Sequence, residues 1–559
     1  MKTNHMKSEK LNAPAKNYNW KKKGWWTNIL TVILLSSSFF TLPLPIQAQN
    51  NQKQEASDYE AALRKLYMAH LAVTSLYVDT VNVQKLTEDA INGMLKELDP
   101  HSSYTNAKET KSLNEPLQGN FEGIGVQYNM LEDTLVVIQP VSKGPSEKAG
   151  ILAGDRIIAV DDTTIAGVKM SREEIMRRLK GPKGSIVELK VKRNGITDLL
   201  SFQVKRDKIP VSSLDAAYMV TPETGLIRIS NFGAKTHEEL AGALKKLQEQ
   251  GIKNLILDLQ QNGGGYLGAA IDIANEFLAK NDLIVYTQGR RTPYTEYRAK
   301  GSGRFLEGGL AVLVDEYTAS AAEIVTGAIQ DQDRGIVIGR RTFGKGLVQR
   351  PIDLPDGSMI RLTISRYYTP AGRCIQKPYE QGDKNSYNMD VINRYNHGEL
   401  TNADSIHFPD SLKYTTLRKA RTVYGGGGIM PDYFIPLDTT KYTKYHRELS
   451  AKGAILNTNL KYIDKARKKL QREYKSFAAF MKDYEVPQEE LDLLYEEGKK
   501  MKVAPEDDAE REASLAQIKL QLKALTARDL WDMSEYFQII NENNESVRKA
   551  VELLEGKAN

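Results

Sequence analysis

Residues 310–329 read LAVLVDEYTASAAEIVTGAI: a short apolar run, a polar loop, and a second apolar run with helical spacing. The first five residues have the length of a buried strand, and those from Ala321 to about Ile329 predict a helix. The stretch 254–278, NLILDLQQNGGGYLGAAIDIANEFL, repeats the order of strand, turn and helix, with a glycine-rich turn. Repeated units of this kind predict a largely parallel sheet covered by helices.

In open sheets of parallel strands, ligands bind beyond the carboxyl ends of the strands. The loops Asn262–Gly265 and Asp315–Ser320 follow the two predicted strands directly. We therefore expect both loops at one edge of the sheet, where chemistry would take place.

The regions before and after this core have different patterns. Residues 58–98 show helical spacing, and residues 121–200 predict a compact unit of short strands with one or two helices. Within that unit, Ser171 and Glu174 predict a capping box, and residues 186–192 alternate like an edge strand. The segment from about 445 to 559 is charge-dense and helical, which predicts a solvated extension or a module for packing and assembly.

The composition excludes several classes of protein. The 559 residues carry a net charge of +6, but residues 1–48 contain seven lysines against one glutamate, so the remainder is formally neutral. A neutral body has no broad basic field for nucleic acid. The single cysteine, Cys374, excludes an internal disulfide and cysteine-rich metal or redox sites.

The first 48 residues have the order of a secretory signal: a basic stretch ending at Lys23, an apolar run from Trp25 to about Phe40, and prolines before Ala48. We expect export with cleavage near Ala48. An uncleaved membrane anchor is the alternative, because the first small residue of the usual cleavage site is replaced by Ile46.

Three common catalytic or nucleotide motifs are incomplete or missing. His237-Glu238 lacks the second histidine of the zinc motif H-E-x-x-H, and no G-x-S-x-G sequence is present. Gly339 to Gly346 matches a phosphate loop up to Gly346, which replaces the Ser or Thr that holds magnesium. We therefore expect neither metal nor nucleotide.

Ser320 follows a predicted buried strand and immediately precedes a predicted helix. The unpaired N–H groups and the positive end of the helix dipole at that point suit a developing oxyanion, so Ser320 is a candidate nucleophile. A serine in this position also serves as an ordinary helix cap.

Lys345 lies between Gly344 and Gly346, with apolar neighbours that would desolvate its amine. A lysine acts as a base only when neutral, which requires burial and no carboxylate partner. In a regular strand, residues 345, 347 and 349 share one face, which places the neutral amide of Gln349 beside the amine. An ordinary solvated lysine is the alternative.

Several short motifs are highly specific when taken together. They are Leu98-Asp99-Pro100-His101-Ser102-Ser103-Tyr104, Gly123-Ile124-Gly125-Val126, Ala149-Gly150-Ile151 with Gly154-Asp155, the loop from Asp258 to Gly265, Thr318-Ala319-Ser320-Ala321-Ala322-Glu323, Gly344-Lys345-Gly346 with Gln349, and Gly428-Ile429-Met430-Pro431-Asp432. Through these motifs, residues 95 to 440 resemble the carboxyl-terminal processing proteases, also called tail-specific proteases. Members of that family are serine peptidases with a Ser/Lys pair and an embedded PDZ domain.

The resemblance implies a role for each matching residue. Ser320 would be the nucleophile, Lys345 the general base, and Gln349 the group that positions the lysine. The oxyanion hole would come from backbone amides at Ala321 and at Gly264 or Gly265. The glycine loop departs from the family pattern Asp-Leu-Arg-x-Asn-Pro-Gly-Gly, because Gln260 replaces the arginine and Gly263 the proline.

The unit over 121–200 resembles the PDZ domain of that family. Such a domain adds an extended tail to a sheet edge and binds its terminal carboxylate with backbone amides. Gly123 and Gly125 would leave those amides open, while Ile124 and Val126 would form the floor of an apolar pocket. Glycines that serve only tight turns are the alternative.

The expected fold class is a multidomain α/β protein with a helix-covered protease core, an inserted PDZ domain (a small β-barrel-like unit with two helices), and helical terminal segments. The expected boundaries are a signal peptide (1–48), a helical N-terminal region (49–115), the PDZ domain (116–205), the Ser/Lys protease core (206–440) and a helical C-terminal extension (441–559).

The expected function is that of an exported, periplasmic serine endopeptidase that cuts protein substrates after recognising their C-terminal tails. Expected partners are tails of exported or periplasmic proteins, with an adaptor protein or a homo-oligomer left open, and with no nucleic acid and no cofactor. A PDZ scaffold that does not cleave is the alternative, and a non-proteolytic acyl-transfer enzyme on the same core is another.

Overall fold

The computed structural model describes residues 46–556, and the side chains of residues 57–556. The predicted signal peptide therefore lies outside the described residues, apart from its last three. The chain separates into two compact units, one reaching to Thr87 and one running from Glu88. None of the described helices is long and apolar enough to cross a membrane.

The first unit is helical, as its spacing predicts. It contains α1 (Ile46–Leu76) and the beginning of α2 (Val83–Lys96). A break at residues 77–82 divides the predicted helical stretch into two helices. Asn82 ends the break, because its side chain accepts the Lys85 N–H at 3.0 Å and so caps α2.

The second unit opens with a short segment that leads into a small antiparallel sheet. The elements in chain order are β1 (Ser103–Thr105), α3 (Ala107–Gln118), β2 (Asn120–Gly123), β3 (Val126–Leu131), β4 (Thr134–Pro140), α4 (Pro145–Ala149), β5 (Arg156–Val160), β6 (Thr163–Thr164), α5 (Arg172–Leu179), β7 (Ile186–Lys192), β8 (Leu200–Lys205) and β9 (Asp207–Pro210). The sheet order is β3-β4-β5-β7-β8, with β6 on β5. β2 pairs with β9, so the chain enters and leaves this sheet side by side, as expected of an inserted unit.

Two local predictions in this sheet are wrong. β7 alternates as predicted but lies between β5 and β8, so it is not an edge strand. Ser171 caps α5 by accepting the Glu174 N–H, whereas the Glu174 carboxylate pairs with Arg177 and does not complete a capping box. The neighbouring arginine offers this carboxylate a charge-assisted bond, which is stronger than a bond to a neutral amide.

The core follows, with alternating strands and helices. Its elements are β10 (Leu214–Met219), β11 (Thr224–Ile229), α6 (Thr236–Glu249), β12 (Asn254–Asp258), α7 (Leu267–Ala274), β13 (Leu283–Gln288), β14 (Thr295–Arg298), β15 (Gly309–Val314), α8 (Ala321–Asp331), β16 (Ile336–Gly339), β17 (Leu347–Asp353), β18 (Met359–Tyr368), α9 (Lys384–Asn396), β19 (Lys413–Thr415), β20 (Thr422–Tyr424) and β21 (Tyr433–Phe434). The central sheet has the order β10-β11-β12-β15-β16-β21. All its neighbours are parallel except β10 and β11, which confirms the predicted largely parallel sheet.

A second sheet, which was not predicted, lies within the core. It has the order β1-β18-β13-β14, with β17 also paired to β18, and all its pairings are antiparallel. The long strand β18 places Thr363 opposite Gln349 and Arg361 opposite Pro351. This register brings residues from one strand beside the predicted catalytic segment on the other.

The C-terminal segment packs into a helical module with its own core. Its helices are α10 (Lys444–Ala451), α11 (Ala454–Glu473), α12 (Phe477–Asp483), α13 (Gln488–Lys500), α14 (Asp508–Leu530), α15 (Met533–Asn541) and α16 (Glu545–Leu554). Phe480 is fully buried there and stacks on Tyr484 at 4.3 Å between ring centroids. In α16, Val547 and Ala550 join the apolar cluster that contains Ile256 of the central sheet. The segment is therefore a packing module and not a solvated extension.

Candidate active site

The loops after β12 and β15 meet at the carboxyl ends of their strands, as expected. β12 and β15 are parallel neighbours, with Asp258 opposite Leu313. The Ala319 N–H donates to the Asn262 carbonyl at 2.9 Å, and the Thr318 hydroxyl donates to the Leu259 carbonyl at 2.9 Å. These bonds hold the two loops together as one structure.

Ser320 ends the second loop in a strained backbone conformation. Its φ is 56° with ψ at −115°, a region that non-glycine residues rarely adopt and that costs about 1–3 kcal/mol. The buried Tyr367 hydroxyl donates to the Ser320 carbonyl at 3.1 Å, and the Ser320 N–H donates to the Glu323 carboxylate at 2.8 Å. Surrounding groups thus fix the serine where the backbone alone would not hold it.

The glycine loop passes very close to Ser320. A Cβ added to Gly264, whose φ is 97°, would lie 2.8 Å from the Ser320 Cβ and 2.9 Å from the Ala321 nitrogen. A Cβ on Gly265 would lie 2.2 Å from the Phe232 carbonyl oxygen. Only glycine allows this approach of backbone to backbone.

The amides predicted for an oxyanion hole differ in their availability. The Gly264 N–H donates to the Asn262 side chain at 2.8 Å and is occupied. The Gly265 and Ala321 N–H groups have no partner among the described residues. Of the two glycines that the resemblance left open, Gly265 therefore has the available donor.

Lys345 lies in the loop between β16 and β17, so the expectation of a shared strand face is wrong. β17 begins only at Leu347, and its register with β18 shifts between Val348 and Gln349. The glycines beside Lys345 allow close packing, since a Cβ on Gly346 would lie 2.8 Å from the Gln376 nitrogen. The loop and the bulge still bring Lys345 and Gln349 to one cavity.

Burial lowers the pKa of the Lys345 amine to about 8, with the guanidinium of Arg361 adding to the effect and the carboxylates of Glu323 and Asp99 opposing it. The amine makes no hydrogen bond or ion pair with any described residue. A pKa near 8 leaves about a tenth of the amine neutral at pH 7, and only this neutral form can act as a general base.

The Gln349 amide binds a neighbouring strand and not the lysine. Its Nε2 donates to the Thr363 hydroxyl at 3.3 Å, and that hydroxyl donates to the Asp99 carboxylate at 3.0 Å. Asp99 also accepts the Ser102 hydroxyl at 2.5 Å. The motif around Asp99, far away in sequence, therefore anchors the side chain predicted to orient Lys345.

Glu323 is a further residue of the site, with no role predicted from the sequence. It is fully buried, and its carboxylate accepts the N–H groups of Ser320, Gly344 and Lys345 together with the Thr342 hydroxyl. Burial raises its pKa to about 7, and these four hydrogen bonds oppose the rise. One carboxyl group thus links the backbone of the serine to that of the lysine. The sequence feature that could have revealed Glu323 is an acidic residue three positions after Ser320, in an otherwise apolar helix turn.

These groups surround a cavity of about 300 Å³. Its walls include the glycine loop, both predicted catalytic side chains, the Gln349 amide, Arg361 and two residues of α3; they are Gly263, Gly264, Gly265, Ser320, Ala321, Lys345, Gln349, Arg361, Asn114 and Leu117. The cavity is large enough for a short stretch of extended polypeptide. A serine beside a neutral amine and free amide donors is a chemical arrangement that suits acyl transfer from a peptide carbonyl.

The predicted tail-binding segment lies at a narrow groove between β3 and α5. Gly123, Ile124, Gly125 and Val126 line this groove, whose free volume is only about 10 Å³. The N–H groups of Ile124 and Gly125 have no partner among the described residues, as a carboxylate-binding turn requires. The Ile124 side chain is 3% exposed and packs in the core of the small sheet.

Comparison with family models assigns most of the described chain. Residues 223–383 match peptidase family S41, and residues 123–208 match the PDZ domain. Residues 41–110 match the N-terminal domain of the activating protease CtpB, and residues 445–532 match a family of unknown function.

Named relatives agree with these matches. The chain is 35% identical to a carboxy-terminal-processing protease of Bartonella bacilliformis over 62% of this chain and 80% of that one. It is 33% identical to the carboxy-terminal processing protease CtpB of Bacillus subtilis, over 58% and 68% of the two chains. Among solved structures, a photosystem II D1 C-terminal processing protease is 31% identical and covers 55% of this chain and 82% of its own, with a TM-score of 0.32.

Proposed function

Because this chain belongs to the carboxy-terminal processing proteases of peptidase family S41 and carries their PDZ domain, we propose that it cuts protein substrates at Ser320 after binding their C-terminal tails. It is a serine-type peptidase by that membership. The roles proposed for individual residues are supported by their grouping around one cavity. There a strained serine, an unpaired lysine of lowered pKa and two free backbone amides lie together.

In the proposed mechanism, the neutral amine of Lys345 takes the proton of the Ser320 hydroxyl as the oxygen attacks the scissile carbonyl. The Ala321 and Gly265 N–H groups donate to the oxyanion that forms. Lys345 then gives its proton to the leaving amine, and a water molecule hydrolyses the acyl-enzyme by the same steps in reverse order. Gln349, held by Thr363, limits the positions that the lysine side chain can adopt.

We also propose that the substrates are exported proteins. The basic and apolar leader over residues 1–48 supports this proposal, with an anchored form as the alternative. The partner class would be apolar C-terminal tails in that compartment.

Amidation of a substrate's C-terminus should lower kcat/KM by about ten- to a hundredfold, because amidation removes a charge that the Ile124 and Gly125 amides would bind. The measurement compares unstructured peptides with an apolar last residue, free or amidated, using the full chain and mass spectrometry. The Ser320→Ala variant controls for contaminating peptidases. Equal cleavage of the two peptides would contradict tail recognition. Binding without cleavage would favour the scaffold, and turnover of small thioesters but not peptides would favour the acyl-transfer enzyme.

We expect kcat/KM to rise with pH through about 8, because burial places the Lys345 pKa there and only the neutral amine acts as base. Arg361 contributes to that lowering, so Arg361→Gln should raise the lysine pKa. The profile should then move to higher pH, with several-fold lower activity at pH 7 and a similar plateau.

The matched control is Arg366→Gln on the same strand, since Arg366 is exposed and does not contribute to the lysine pKa. A profile that moves to lower pH in Arg361→Gln, or that moves equally in both variants, would refute the assignment of this pKa to Lys345.

A further inference from the structure

A second cavity, of about 450 Å³, lies between α3 and α5, beside the tail groove. Five cationic side chains line it: Lys108 and Lys111 from α3, Arg172 and Arg177 from the two ends of α5, and Lys180, which follows that helix directly. Met176 contributes apolar surface. The cavity therefore combines an apolar wall with a cationic rim.

Carboxylates neutralise only part of this rim. Glu115 pairs with Lys180, and Glu174 pairs with Arg177. The other three cations have no ion pair with any described residue, and Glu173 is the remaining carboxylate of the lining. Lys108 and Lys111 are exposed and have no ion pair or hydrogen bond with any described residue. Because they are three residues apart in α3, both amines lie on one helix face and point the same way.

The cavity is continuous with the path that a substrate tail would take. Met176 and Lys180 line both this cavity and the tail groove. Farther along α3, Asn114 and Leu117 line the catalytic cavity. One helix therefore borders the basic cavity and the catalytic cavity, and α5 borders the basic cavity and the tail groove.

We propose that the basic cavity binds acidic side chains of the substrate, upstream of its apolar C-terminal residues. This inference rests on the proposed function, because it takes the tail to occupy the groove. α5 has eight residues and is about 12 Å long, which corresponds to roughly three to four residues of extended chain. The acidic residues would lie directly before the apolar residues that fill the groove.

The charge distribution favours a peptide over other anionic partners. The chain beyond residue 48 is formally neutral, so these cations form a local site and not part of a basic face for nucleic acid. The site adjoins a groove with two free amides that suit a terminal carboxylate. A tail that is acidic upstream and apolar at its end complements both features.

The test measures binding by fluorescence anisotropy to the full chain carrying Ser320→Ala, so that no peptide is consumed. Two peptides share the same apolar C-terminal triplet and differ only in four preceding residues, all Glu or all Gln. We expect the Glu peptide to bind about five- to tenfold more tightly, with the advantage lost in 0.5 M salt. The double variant Lys108→Glu/Lys111→Glu should reverse the preference. Lys465→Glu/Lys469→Glu, the same charge change on exposed residues of α11, should keep it.

The possible outcomes separate the acidic-tail subsite from the proposed peptidase function. Equal affinity for the two peptides, or a preference that survives the Lys108→Glu/Lys111→Glu change, would overturn the acidic-tail subsite. Loss of binding to anionic lipid vesicles in that variant, with unchanged peptide preference, would assign the lysines to a membrane surface and overturn it as well. Acidic preference in binding, with no cleavage by the chain that retains Ser320, would support the subsite and refute the proposed function.

Discussion

Alanine at Ser320, or methionine at Lys345, should lower kcat/KM for an apolar-tailed peptide by about 10⁴-fold or more, which is the order seen when a serine peptidase loses its nucleophile or base. Methionine keeps the length and apolar character of the lysine stem and removes the amine. Since neither side chain lines the tail groove, peptide affinity should stay within about twofold in both variants.

The double variant tests whether Ser320 and Lys345 act together. If Ser320 and Lys345 act as one unit, Ser320→Ala/Lys345→Met should be no slower than the slower single variant, because the second change removes a group with nothing left to activate. Single-turnover cleavage followed by mass spectrometry measures these rates. Losses that multiply in the double variant, or a Lys345→Met chain that keeps its activity, would show that the lysine is not the base for this serine.

Alanine at Glu323 should lower kcat by about 10²- to 10³-fold and the free energy of unfolding by about 3–5 kcal/mol. The change leaves three N–H groups, one buried and two partly buried, without an acceptor, at a cost of about 1–3 kcal/mol for a buried group, and releases the loop that carries Lys345. Glu323→Gln keeps one oxygen acceptor, so its losses should be smaller in both quantities. Urea unfolding and peptide kinetics on the same preparations measure the two effects.

Glu316→Ala is the matched control, since Glu316 is also a buried carboxylate in the loop before Ser320 but pairs with Arg340 away from the cavity. It should destabilise the chain while kcat stays within a few-fold of the original. Equal loss of kcat in Glu316→Ala and Glu323→Ala would mean that Glu323 acts only through stability and does not position the catalytic groups.

The parts of the fold with strong local signals could be predicted from the sequence. Apolar runs bounded by glycine-rich turns gave the parallel strands β12 and β15, and Ser320 follows one of them directly. The prediction that β7 is an edge strand was wrong, because alternation indicates burial of one face and does not say how many neighbours a strand has; β8 pairs with the free side of β7.

The supporting contacts of the site could not be predicted, because they join residues far apart in the chain. Thr363 binds Asp99 across 264 positions, and Glu323 binds the Lys345 backbone across 22. The bulge before Gln349 also depends on pairing with β18 and has no sign of its own in the sequence. Local patterns located the reacting side chains, whereas tertiary packing determines what holds them.

The covering of the central sheet by α16 has a consequence for how the protein is made. Val547 and Ala550 pack with strand residues such as Ile256 that are synthesised long before them, and the Asn544 side chain reaches the Gln260 side chain in the glycine loop at 3.4 Å. While the chain is still emerging, one face of the sheet lacks its cover and the loop lacks this support. The nascent peptidase can therefore complete the packing of its central sheet only after α16 has been synthesised.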